Sequence, residues 1–121
     1  MNKQKAIIAF SQSEKIKAGL IWISQTLEVY NSLPGTNREG AELVIKAIVG
    51  MIAHEVHLAS RMTEDSTWKE VEKHLDMGMV MINSQMLQES GFHLTRALSQ
   101  VTSIGQRSLT VLKEEGLLGD I

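Results

Sequence analysis

The sequence predicts an all-α chain folded as an antiparallel, up-down-up-down four-helix bundle. Three observations carry that prediction. Apolar residues recur at steps of three and four along the chain, strong helix punctuation falls at only three interior places, and the segments left as connections are short. Helices are expected near residues 3–32, 37–62, 67–89 and 92–115, in a single domain over 1–121. A chain of 121 residues can bury a core unaided, and 43% hydrophobic content is too high for a disordered one.

In the first helix Ala9, Ser13, Ile16, Leu20, Ile23, Leu27 and Tyr30 form one stripe. Asn31-Ser32-Leu33-Pro34-Gly35, which holds the only proline, marks the turn after it. Thr36 and Glu39 then have the spacing of a capping box. The second helix has a wide apolar face made of Ala41, Val44, Ile45, Ile48, Met51, Ile52, Val56, Ala59 and Met62. Thr67 and Glu70 repeat the capping spacing at the start of the third, whose stripe is Trp68, Val71, Leu75, Met79, Ile82 and Met86. Ser90-Gly91 is the expected third break, the weakest because one interior glycine costs a helix only ~1 kcal/mol. A rod continuous through it would convert the bundle into an interlocked dimer. Leu94, Ala97, Val101, Gly105, Ser108 and Leu112 line the fourth helix, which Gly116 and Gly119 end.

Two helices carry more apolar surface than one stripe uses. Ala18, Ile21, Trp22 and Val29 fall away from the seam of the first helix, and Met77, Val80, Met81 and Leu87 away from that of the third. Ala18, Ile21, Trp22, Val29, Met77 and Met81 are therefore expected to meet a second copy, a dimer above all, or a partner helix. Each helix also has one interior glycine: Gly19, Gly50, Gly78 and Gly105. Folding the chain about its turns brings all four to one height, where they permit close helix approach or leave a gap for a ligand.

Glu55 is the one acidic residue centred on an apolar face, with His54 and His57 on the polar side. A buried carboxylate must be paired, neutralised or metal-bound. The same folding arithmetic sets Glu55 level with Ser13 and His74, with Arg107 and Ser108 near that height and Lys17 one turn away. A hydrogen-bonded ion pair of Glu55 within a polar level of His74, Ser13 and Ser108 is the expectation, and a Glu at the edge of an oligomer interface the second reading. A zinc-type site from Glu55, His74 and either His54 or His57 is the metal alternative. The Glu-x-x-His pairs of carboxylate-bridged di-iron bundles are absent, since Glu70 and His74, like Glu89 and His93, are four apart.

His54-Glu55-Val56-His57 resembles, over those four residues, the phosphoacceptor box of sensor histidine kinases, which stands on a helix of a dimeric four-helix bundle. The resemblance implies that His54 takes the phosphoryl group and that Glu55 helps deprotonate it. Leu58-Ala59-Ser60 occupies the place where that family usually has a proline.

Zero cysteines exclude disulfide scaffolds, thiolate catalysis and sulfur-ligated zinc. Twelve Lys and Arg against 14 Asp and Glu give no pull towards nucleic acid, and the arginines are scattered. The apolar run Ala6–Phe10 is too short for a signal peptide or a membrane span, so no membrane partner and a cytoplasmic location are expected. Phosphate-cradling glycine loops and nucleophile elbows are missing, and no cofactor is expected. Together these readings point to a small non-enzymatic, oligomeric interaction module. A ligand- or metal-binding bundle around Glu55 and His74, and phosphotransfer through His54, are the alternatives.

Overall fold

The computed structural model describes residues 1–119. Four helices account for nearly all of them: α1 (Lys3–Ser32), α2 (Gly35–Thr63), α3 (Thr67–Asn83) and α4 (Leu87–Glu114). Each packs on two neighbours in the cyclic order α1, α2, α3, α4, and the diagonal pairs do not touch. Cross-helix contacts run antiparallel. Lys5 meets Glu64 at 3.3 Å and Gln12 meets Glu55 at 3.0 Å, while Ser90 bonds Gly78 and Arg107 bonds Thr67, both at 3.0 Å. The result is the square four-helix bundle that the periodicity predicts.

One seam from each helix fills the centre. All seven residues of the predicted α1 stripe are buried. α2 contributes Ile45, Val49, Ile52, Val56 and Ala59; α3 contributes Trp68, Val71, Leu75 and Ile82; α4 contributes Leu94, Ala97, Val101 and Ile104. Val49 and Ile104 join the core although the predicted stripes omit them. Val44, Met51 and Met62, expected on the apolar face of α2, are exposed instead. A square bundle gives each helix room for one seam, and the apolar face of α2 is wider than that.

The third break lies at Ser84-Gln85-Met86, not at Ser90-Gly91. Gln85 takes the left-handed conformation, with φ 63°. Its N–H donates to the Ile82 carbonyl at 3.1 Å, and the Met86 N–H donates to that of Met81 at 2.8 Å, a Schellman closure of α3. Glycine normally takes that position. Here the Gln85 side chain donates to Glu42 at 2.8 Å and accepts from the Tyr30 hydroxyl at 3.4 Å, which ties the turn to α1 and α2. Ser90 and Gly91 therefore lie inside the first turns of α4, and α3 and α4 are separate helices. Met86, outside the shortened α3, is exposed.

The helix starts also differ from the capping pattern. α2 begins directly after Pro34 with no side-chain cap, so the Thr36–Glu39 box does not form. Arg38 instead reaches back to the carbonyls of Leu33 (3.0 Å) and Asn31 (3.1 Å) and satisfies the end of α1. At α3 the cap is Asp65, whose Oδ1 accepts from the Thr67 N–H at 2.9 Å, rather than Thr67 with Glu70. Asn2 caps α1 by accepting from the Lys5 N–H at 2.8 Å.

Three of the four interior glycines sit at close helix approaches. A Cβ on Gly19 would lie 2.7 Å from Ile52 Cδ1, on Gly78 3.2 Å from Leu94 Cδ2, and on Gly105 2.9 Å from Ser13 Oγ. Gly50 departs from that layer: it is exposed, and an added Cβ would meet nothing within 4 Å. α2 alone among the described helices has an 18-residue window apolar enough to cross a membrane, with mean hydropathy 1.4. The longest sustained apolar stretch therefore lies in α2, not in the short run at Ala6–Phe10. In the fold this helix is one wall of the bundle.

Two outcomes follow in thermal melts. Gly50→Ala raises stability by about 0.5–1 kcal/mol, the helix-propensity difference, whereas Gly105→Ala lowers it by displacing the Ser13 hydroxyl. Asp65→Ala costs about 1–2 kcal/mol through loss of the cap and leaves Arg107, now 3.2 Å from Asp65, without its carboxylate. An unchanged melting temperature for Asp65→Ala would contradict that assignment.

Candidate functional site

Large apolar side chains stand exposed on the α1–α2 side of the bundle. Trp22 is 65% exposed, Met51 and Leu43 64%, Val44 60% and Val29 58%. Their placement follows from helical spacing. On α2 the core seam is 45, 49, 52, 56 and 59, while Val44, Ile48, Met51, Glu55, Leu58 and Met62 form a second stripe one position earlier. That offset rotates the second stripe by about 100° out of the core. Between the two helices lies a groove of about 250 Å³, lined by Ile16, Gly19, Trp22, Ile48, Met51 and Ile52 and closed at one end by Lys15 and Glu55. Gly19 sets its depth, because any side chain there would run into Ile52.

Glu55 marks the end of this groove rather than the centre of a polar level. Its carboxylate accepts from Gln12 Nε2 at 3.0 Å and pairs with Lys15 Nζ at 2.9 Å. The Gln12 hydrogen bond, followed by the Lys15 ammonium, holds its pKa below the usual carboxylate value against a smaller effect of burial. Lys17 pairs with Glu14 at 2.9 Å instead, and Arg107 with Asp65. At Asp65 burial alone would raise the pKa, yet the Thr67 N–H and hydroxyl and the Arg107 guanidinium together hold it down.

Ser13 and Ser108 are buried as expected, but each satisfies its own helix. Ser13 donates to the Phe10 carbonyl at 2.9 Å and Ser108 to that of Gly105 at 2.8 Å. They flank the close approach of α1 and α4 at Gly105, away from Glu55. His74 stands on the α3–α4 side, its ring stacked on His93 with centroids 6.5 Å apart. His54 and His57 are exposed on α2, and His57 lies 3.6 Å from Glu72 of α3. Glu55 and His74 are thus on different walls, and the polar level drawn from the folding arithmetic is not assembled. Among the described residues no group of three or more His, Asp or Glu is placed to hold a metal ion. The four candidate metal ligands are spread over three directions.

His54 and Glu55 point to different sides of α2 despite their adjacency. The imidazole faces outward, whereas the carboxylate is engaged by Gln12 and Lys15 of α1. Any proton transfer between them requires Glu55 to leave both partners.

The six candidate interface residues separate in the same way. Trp22 and Val29 adjoin the exposed face of α2, and Ile21 is exposed on α1 with Ala18 half-buried beside it. Met77 and Met81 share the His74 stripe of α3, and α1 and α3 are diagonal in the bundle. Leu43, Ala47 and Gly50, also exposed, extend the α1–α2 face and were missed by the sequence reading. The signal for them was the excess width of the second helix's apolar face.

His74, on the wall away from the groove, gives the folded state a pH dependence. Burial, and then the Arg96 guanidinium, lowers its pKa below the ordinary histidine value, against an opposing pull from Glu70. Both its Nδ1 and that of His93 are buried without a hydrogen-bond partner. The folded state therefore favours neutral His74. Its contribution is complete above the unfolded pKa of about 6.5 and is lost as pH falls from there through the lowered folded value. Melting temperatures measured from pH 7.5 to 5 should fall over that window, and His74→Gln should flatten the fall. An identical profile for the variant would remove His74 as the cause.

No protein-family model matches this chain, and comparison with curated proteins and with solved structures likewise gives no match.

Proposed function

We propose that the protein is a non-enzymatic helical-bundle interaction module that works by self-association, with the apolar face of α1 and α2 covered by a second copy of the chain. The observation that carries this reading is the exposure of Trp22, Val29, Leu43, Val44 and Met51 on one side of a bundle whose core is already closed. Scattered exposed apolar side chains are ordinary, but a contiguous patch of this kind marks an interaction surface. The α3–α4 wall also exposes Met77, Val80, Phe92 and Leu109, but none of them is more exposed than Trp22, Met51, Leu43, Val44 or Val29.

Charge placement favours a protein partner over a lipid surface, which calls for lysines and arginines around the apolar face. Of the cations flanking the face, Arg38 is turned to the end of α1, Lys46 pairs with Glu42 and Lys15 with Glu55, each at 2.9 Å, and Lys17 pairs with Glu14, leaving Arg61. The lack of cysteine agrees with a cytoplasmic location, which belongs to the same proposal.

Sedimentation equilibrium across a micromolar concentration series tests this function. The native chain should associate. Met51→Glu, at a position the core does not use, should weaken association by about tenfold or more without loss of helicity. A native chain that stays monomeric through the series would overturn the proposal.

A further inference from the structure

We infer that the two copies meet α2 against α2 in antiparallel orientation, with the two-fold axis passing between Ala47 and Gly50. The inference rests on the self-association proposed above and specifies its geometry. The outermost stripe of α2 reads Glu39, Leu43, Ala47, Gly50, His54, His57 and Arg61, all of them exposed. Its middle is small and uncharged, its shoulders carry Val44 and Met51, and its ends carry opposite charges.

Gly50 is the first argument. Glycine weakens a helix interior, so it persists where a backbone must be approached closely. Gly19, Gly78 and Gly105 have such a neighbour within the chain, whereas a Cβ on Gly50, as on Gly40 and Gly91, would meet nothing within 4 Å. Gly50 differs from those two in standing at the middle of the exposed α2 stripe, where the approach it would serve is to a second copy. Ala47, one turn earlier on the same stripe, leaves the same space open. Small residues at a helix crossing let the axes come to the short end of the 8–10 Å range.

Charge supplies the second argument and sets the direction. Neither Glu39 nor Arg61 takes part in an ion pair among the described residues, whereas on the same helix Glu42 pairs with Lys46 and Glu55 with Lys15. A parallel pairing would set Glu39 beside Glu39 and Arg61 beside Arg61. Antiparallel pairing about the Ala47–Gly50 midpoint places Ala47 opposite Gly50 of the second copy and Leu43 opposite His54. It also brings Glu39 within one helical turn of Arg61, twice over by symmetry. The surface is complementary to itself, as a two-fold interface requires.

Variants compared by sedimentation and circular dichroism decide the point. Gly50→Leu fits the folded chain, since its Cβ has open space, and should keep or raise the melting temperature of dilute protein. It should raise the dimer dissociation constant by about tenfold or more by holding the helices apart. Arg61→Glu should weaken the dimer and reverse its salt response, because added salt then screens a repulsion instead of an attraction, and Glu39→Arg added to it should restore affinity to within about threefold of the native chain. A Gly50→Leu chain that dimerises like the native one, or a double charge variant no tighter than Arg61→Glu, overturns this geometry. If dimerisation nonetheless responds to Met51→Glu, self-association stands through another part of the face. A native chain that never associates removes both readings. Co-sedimentation of monomeric chain with phosphatidylcholine vesicles would overturn the second copy in favour of a lipid surface.

Discussion

A helix in a square bundle touches two neighbours and buries one seam, and the rest of this molecule follows from that limit. α1 and α3 each carry exposed apolar side chains beyond their seams, Trp22 and Val29 on α1 and Met77 and Val80 on α3. α2 exceeds the limit furthest, because its sequence carries two adjacent apolar stripes where the bundle has room for one. The inner stripe, Ile45 to Ala59, closes the core. The outer surface from Leu43 to Met51 is left on the outside, its apolar side chains in contact with water.

Close packing on one side of α2 shapes that surface. Gly19 brings α1 against Ile52, and this approach draws Trp22 alongside Ile48 and Met51. The Lys15–Glu55–Gln12 cluster then seals the end of the groove with a satisfied carboxylate. Glu55 stands at the end of the groove, and its charge is stabilised there by Gln12 and Lys15.

Much of the fold was legible in the sequence because each helix seam repeats at three and four. The α1 stripe, Leu94 to Leu112 on α4, and the turns at Pro34 and Asp65 all lie where periodicity and turn residues set them. The third turn was hidden because its left-handed residue is Gln85, not glycine, and the contacts that hold it come from Tyr30 and Glu42, far away in sequence. The candidate site was legible only in part. Trp22 and Val29 stood out against the α1 seam, but Val44 and Met51 could be assigned outside the core only once the inner stripe of α2 was known to fill it. The polar level failed for a related reason. Matching heights along the bundle axis does not give facing direction, and Glu55, His74 and the two serines share a height without sharing an interior.

The absence of cysteine makes disulfide mapping the most direct measurement of how α2 is covered. Chains carrying Leu43→Cys and chains carrying His54→Cys would be oxidised separately and as an equal mixture. A disulfide needs Cα atoms within about 4.4–6.8 Å, and antiparallel pairing about Ala47 and Gly50 puts each position roughly five residues, about 8 Å, from the dyad. The account predicts a cross-linked dimer in the mixture and little in either chain alone. Efficient cross-linking of Leu43→Cys chains to one another, or none in the mixture, would contradict it.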